Sequence, residues 1–191
     1  MQLRILWFRF TIAALLDGCS RKLLRLQVFT GTPTTADMLR LVRSAIESFG
    51  QPPFIITDHG GQFMGTLTAK LERTEITIVQ GKVRQPSFNG KVERFFRTLR
   101  IWLRVAVLPI SVRPLQRRLD HYRTWYNEHR PHASISERTP DEAWEGVELA
   151  VPIPIRAADR EQIAVSVDRQ SYCDDPALPI VTIRVDRKEA A

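Results

Sequence analysis

Apolar residues in this chain recur with two different periods, and the switches between them mark out the elements. "FTIAALLD" (Phe10–Asp17) is a nearly continuous apolar run and reads as a buried strand. "GCS" reads as a turn and "RKLLRLQVFT" as a second strand, so the two form a β-hairpin. "GTPTTADMLRLVRSAIESFG" then changes to helical spacing. Met38, Leu41, Val42, Ala45, Ile46 and Phe49 make one stripe, Thr34 or Thr35 can cap the start, and Gly50 stops the helix. "QPPFIITD" is a short buried strand after a proline-rich connection, "GQFMGTLTAKLERT" a short helix, and "EITIVQGK" another strand. In "VRQPSFNGKVERFFRTLRIWLRVAV", Asn89–Gly90 opens a helix. Val92, Phe95, Phe96, Leu99 and Leu103 fall on one side of it, and Glu93, Arg97, Arg100 and Arg104 on another. "RPLQRRLDHYRTWYNEHRPH" predicts a further helix ending near Arg130–Pro131, and "TPDEAWEG" a capped helical turn.

After Gly146 the texture changes to short β-branched runs with prolines, and strands are expected near Ala164–Val167 and Ile180–Val185. The order β-β-α-β-α-β-α-α predicts an α/β core over residues 1–146, a mixed sheet flanked by helices, followed by a small β-rich segment over 147–191. Trp102, Trp125 and Trp144 are expected in the core.

Charge sharpens this picture. The net charge is +7, but it is unevenly spread. Lys82–Arg130 holds 12 Lys/Arg against three acids, whereas residues 131–191 hold seven against 12. A concentrated basic block is the footprint of a nucleic-acid partner; the plain alternative is a solvated helical face. Cys19 and Cys173 are far apart and form no CxxC, and the four His make no zinc pattern, so a reducing, cytoplasmic setting is the default. The start, "MQLRILWFRFTIAALLDGCS", has the outline of a secretion signal. Arg9 breaks its apolar stretch, however, and Asp17 stands where a cleavage site wants a small residue. No run approaches the length of a membrane span, so no membrane partner is expected.

Two carboxylates are placed for chemistry. Asp58 ends the strand "FIIT" at a Gly-rich turn, and Glu93 lies on the helix after the next strand. Acids brought together from a strand end and a facing helix can hold divalent cations, and two-metal sites act in phosphodiester chemistry. Such a site repels its own anionic substrate unless cations surround it, and Arg94, Arg97, Arg100 and Arg104 follow Glu93. Taken alone, Asp58 is a turn starter and Glu93 an i,i+4 partner of Arg97 on an exposed helix.

Three stretches in order, "ITDHGGQF", "QPSFNGKVERFFRTLR" and "YNEHRPHASISERTPDEAW", resemble the DDE transposases and retroviral-type integrases of bacterial insertion sequences. The resemblance runs from about Leu15 to Trp144, and the 34 residues between Asp58 and Glu93 match the family's spacing. It implies an RNase H-like fold and two Mg²⁺ (or Mn²⁺) ions. It also implies one-step attack on phosphodiesters, by water at the element end and then by the freed 3′-hydroxyl at target DNA. Asp58 and Glu93 are then catalytic metal ligands, Asn89 and Gly90 shape the approach to Glu93, and Lys91, Arg94, Arg97 and Arg100, with Arg104 beyond them, are candidate DNA contacts. Arg130 and His132 are expected to fix the last helix rather than do chemistry. A homo-oligomer on DNA is implied as well.

The family's third acid is an Asp in the first strand, ahead of the hairpin. No acidic residue precedes Asp17, and Asp17 itself matches the hairpin "D-x-x-S-R" rather than the catalytic position. The chain therefore reads as starting inside the catalytic domain. Leu3–Phe10 is a substitute strand that brings Arg where the carboxylate should stand, and neighbouring strands are left with exposed apolar edges. Weak metal binding and little or no strand transfer are expected. The alternative is a non-catalytic DNA-binding relic or accessory module.

Overall fold

The computed structural model describes residues 1–5, 7–57, 76–80, 86–105, 108–148 and 163–187. Strands β1 (Gln2–Ile5), β2 (Phe8–Leu16) and β3 (Leu23–Thr30) form an antiparallel sheet in that order. Helix α1 (Thr35–Phe49) follows, then β4 (Phe54–Thr57) and β5 (Thr77–Gln80), which pair in parallel. Helices α2 (Pro86–Val105), α3 (Val112–Glu128) and α4 (Pro140–Trp144) complete the core, and β6 (Ile163–Ser171) and β7 (Pro179–Arg187) form an antiparallel ribbon.

The period-2 pattern of β2 explains the layering. Phe10 and Ile12 face one way and join Leu26 and Val28 of β3 in a core closed by α2 and α3. Ala13 and Leu15 face the other way and pack on Met38, Leu41 and Val42 of α1, together with Ile55, Ile76 and Ile78. With both faces covered, the strand has to be apolar along its whole length. The expected α1 cap is Thr34, whose hydroxyl accepts from Asp37 N while Asp37 accepts from Thr34 N. Gly50 ends the helix at φ +85, a conformation glycine adopts without penalty.

The single strand expected over Leu3–Phe10 is instead divided, Leu3–Ile5 lying in β1 and Phe8–Phe10 in β2, which pair antiparallel. The ladder of β1 on β2 sets Leu3 opposite Phe10 and Arg4 opposite Arg9, and β1 carries no carboxylate. Among the described residues no ladder joins β4 to this sheet; β4 and β5 form their own pair, and Phe54 and Ile56 of β4 remain exposed. The strand ends at Thr57, so the predicted ligand Asp58 and the predicted helix over 61–74 lie outside the described residues.

The outer edge of β3 is covered by side chains of α3. Asn127 accepts from Leu23 N at 2.9 Å and donates to Leu23 O at 3.2 Å. Gln116 accepts from Val28 N at 2.9 Å and donates to Leu26 O at 2.8 Å. Eleven helical residues and five strand residues both span ~16 Å, so one helix face keeps register with the strand it covers.

Two boundaries differ from expectation. α2 starts at Pro86, so Asn89–Gly90 lies inside the helix instead of opening it; a proline at the first position has its φ already set for helix. Trp102 and Trp125 are buried as expected, but Trp144 is 39% exposed, because it forms the rim of a contact with Phe49 at 5.8 Å rather than part of the core. The ribbon strands are longer than predicted. The turn between them enters the main core through Leu178, held by Trp125 Nε1 donating to Pro179 O at 3.0 Å and by an Arg118–Asp175 ion pair at 3.0 Å.

Candidate nucleic-acid interface and metal site

Helix α2 separates its two faces sharply. Phe95, Leu99, Trp102 and Leu103 are buried against β2, β3 and α3, worth roughly 6–12 kcal/mol of gross transfer free energy. Phe95 meets Tyr126 edge-on at 5.4 Å, and Trp102 lies 4.8 Å from the Tyr122 ring. This packing fixes which way the other face looks. At about 100° per residue, Glu93, Arg97, Arg100 and Arg104 fall within a sector of about 60°. All four are exposed, as are Arg94 and, beside them, Ile101 and Val105.

No ion pair joins Glu93 to Arg97, or any of these arginines to an acid, among the described residues. The i,i+4 pairing that a bland reading of the helix predicts is therefore not made. What remains is a row of three guanidiniums and one carboxylate without ion-pair partners among the described residues, spaced along ~16 Å of helix. That length matches about five phosphates of one DNA strand.

Lys91, expected as a phosphate contact, is not in this sector. It lies about 160° around the helix from Glu93. Its ammonium donates to Gly18 O in the β2–β3 turn at 2.7 Å. Asn89 sits in the first turn of α2, with only its backbone described.

Of the expected metal pair the described residues supply Glu93. Among them no group of three or more His, Cys, Asp or Glu side chains could hold a metal ion. Asp17 has one carboxylate oxygen committed to its own turn. Oδ2 accepts from Cys19 N at 2.9 Å, Ser20 N at 2.7 Å and Ser20 Oγ at 2.8 Å. That is an Asx turn closing the hairpin. Thr57, the last residue of β4 before Asp58, is buried, and its hydroxyl has no partner among the described residues.

The "YNEHRPH" segment acts as scaffold. Arg130 lies over the Trp125 and Tyr126 rings at 5.9 and 5.7 Å, and His132 meets Tyr126 edge-on at 4.8 Å. Burial first, and then the guanidiniums of Arg130 and Arg21, push the His132 pKa down to about 4. The roles of Asn127 and Gln116 were not foreseen. The sequence shows only two amides eleven residues apart on a helix, and nothing local says that a strand edge lies opposite.

A mixed α/β core of this element order has the RNase H-like fold. Solved structures agree on the fold. The HTLV-2 integrase catalytic core domain in complex with magnesium is similar with a TM-score of 0.55 at 17% identity, over 75% of this chain and 90% of that one. The BIV integrase catalytic core domain gives 0.52 at 16%, over 76% and 91%. A chain of the simian T-cell lymphotropic virus intasome in complex with PP2A regulatory subunit B56 gamma gives 0.59 at 14%, over 100% and 67%. Residues 74–140 match the family described as Integrase core domain. The matched segment is 67 of the chain's 191 residues, and the integrase catalytic cores share its fold. No helix among the described residues is long and apolar enough to cross a membrane.

Proposed function

We propose that this chain binds the DNA backbone through the exposed face of α2, as the DNA-engaging core of a transposition or integration protein. The observation that carries the reading is the exposed row Arg97, Arg100 and Arg104, with Arg94 on its flank and no ion-pair partner among the described residues, opposite a fully packed apolar face. Guanidiniums without protein partners keep their full capacity for phosphate oxygens.

Within the same reading Asp58 and Glu93 are the two acids of a divalent-cation site for Mg²⁺ or Mn²⁺, and Asn89 shapes the approach to it. When two ions are bound such a site supplies phosphodiester cleavage and strand transfer. Asp58 lies outside the described residues, and β1 brings Arg4 and no carboxylate to the sheet. This polypeptide is therefore proposed to hold metal weakly and to transfer strands poorly, while binding DNA without metal. The integrase neighbours include trimeric and dimeric forms and an intasome, which supports self-association on DNA here as well.

The test is duplex binding by fluorescence anisotropy across a salt series. Three phosphate contacts predict a log–log slope of about −2.7, so affinity falls roughly 40-fold between 50 and 200 mM salt. Replacing Arg97, Arg100 and Arg104 by Ala should remove most of that slope, and added Mg²⁺ should not be needed. Salt-independent binding, or a slope untouched by the triple variant, refutes the interface. Mg²⁺-dependent strand joining by this chain, abolished by Asp58→Asn, refutes the impaired site.

A further inference from the structure

Lys91 stands two residues before Glu93, yet the helix turns it to the other side, where its Nζ donates to Gly18 O at 2.7 Å. The same carbonyl accepts from Arg21 Nη1 at 2.9 Å, so one oxygen in the β2–β3 turn receives two cations. The turn is built to hold that oxygen in place. Asp17 fastens it from inside through Cys19 N, Ser20 N and Ser20 Oγ. Ser20 Oγ in turn accepts from Lys22 N at 3.1 Å. Arg21 takes a left-handed backbone at φ +66 and donates from Nε to Ser134 Oγ at 3.3 Å.

The first turns of α2 need such an anchor. Gly90 lies inside the helix, where glycine is about 1 kcal/mol less favourable than alanine. The helix's first fully buried described side chain is Phe95, more than two turns beyond Pro86. Between Pro86 and Phe95 the described side chains offer one long-range hydrogen bond, that of Lys91.

We infer that Lys91 is a positioning residue. It fastens the start of α2, and with it Glu93, to the β2–β3 turn, and it is not a phosphate contact. Its consequence for Glu93 rests on the proposed function above; the clamp itself does not.

The experiment pairs amide hydrogen exchange with the salt series on Lys91→Met, Lys91→Arg and Arg97→Ala. Lys91→Met should speed exchange of amides 90–96 about 3- to 10-fold while α3 stays unchanged, the range expected for one lost hydrogen bond. Lys91→Arg should restore protection, since a guanidinium can also donate to Gly18 O. The DNA salt slope of Lys91→Met should equal that of the parent chain, whereas Arg97→Ala lowers it by about 1. A slope lowered by about 1 in Lys91→Met with unchanged exchange overturns the inference and makes Lys91 a phosphate contact. No change in either readout overturns it too. If Arg97→Ala leaves the slope intact, the arginine interface fails while the exchange result still decides Lys91.

Discussion

Asn127 offers the sharpest test of how this core holds its sheet. Its amide exchanges two hydrogen bonds with the backbone of Leu23, at 2.9 and 3.2 Å, and both residues are buried. Asn127→Leu keeps the volume and removes both partners. The net loss of two hydrogen bonds is about 2 kcal/mol, and leaving a buried N–H and C=O unsatisfied raises it to about 2–4 kcal/mol. For a domain of this size that is a fall in Tm of about 5–15 °C. Urea unfolding followed by circular dichroism measures it, with an unchanged m-value showing that the denatured state is unaltered. Asn127→Asp separates the two bonds. The carboxylate still accepts from Leu23 N but faces Leu23 O without a proton, so this variant should recover stability on acidification, once its carboxyl can donate. A loss below 0.5 kcal/mol for Asn127→Leu, on the scale of the modest net value of single hydrogen bonds, refutes the claim that α3 supplies the missing partners of the β3 edge.

Three further outcomes follow from the same contacts. Lys22, only 14% exposed, pairs with Asp141 at 2.9 Å and lies 5.4 Å from the Trp144 ring and 5.6 Å from the Phe49 ring; Lys22→Met should cost about 1–2 kcal/mol in urea unfolding. His132 is neutral in the folded state down to about pH 4, whereas the unfolded chain takes up a proton near pH 6.5. Stability should therefore fall as pH drops from about 6.5 toward 4, by an amount on the order of 1 kcal/mol after solvent screening, and His132→Phe should flatten that limb of the curve. Asp17→Ala should cost about 2–3 kcal/mol by opening the hairpin turn, yet leave Mg²⁺ affinity by calorimetry unchanged; a weakened affinity would make Asp17 a ligand.

The elements were legible where one physical rule decided them. The stripe of α1, its Thr34 cap and its Gly50 stop are all local, and all three stand in the structure. The α4 capping box, Thr139 with Glu142, is likewise written in four consecutive residues. The start of α2 was less legible, because Asn89–Gly90 and Pro86 are competing signals and propensity alone does not rank them. Long-range facts were hardest. That Arg97 leaves Glu93 unpaired, that Lys91 turns to Gly18, and that Asn127 serves a strand 104 residues away depend on which helix faces pack inward. Asp58 and Glu93 were picked from spacing and family resemblance, and Asp58 lies outside the described residues; β1 carries Arg4 and no carboxylate.

Leu178, on the turn of the C-terminal ribbon, is 1% exposed in the same cluster as Phe10 and Ile12. The core is thus closed by a residue synthesised long after the hairpin it covers. At 5–20 residues per second, the hairpin that starts the sheet waits about 10–30 s before its final apolar neighbour exists. During synthesis the aromatic seam between α2 and α3 is left partly wet. The nascent chain is then expected to need a chaperone, or to collapse onto a provisional cover that Leu178 later displaces.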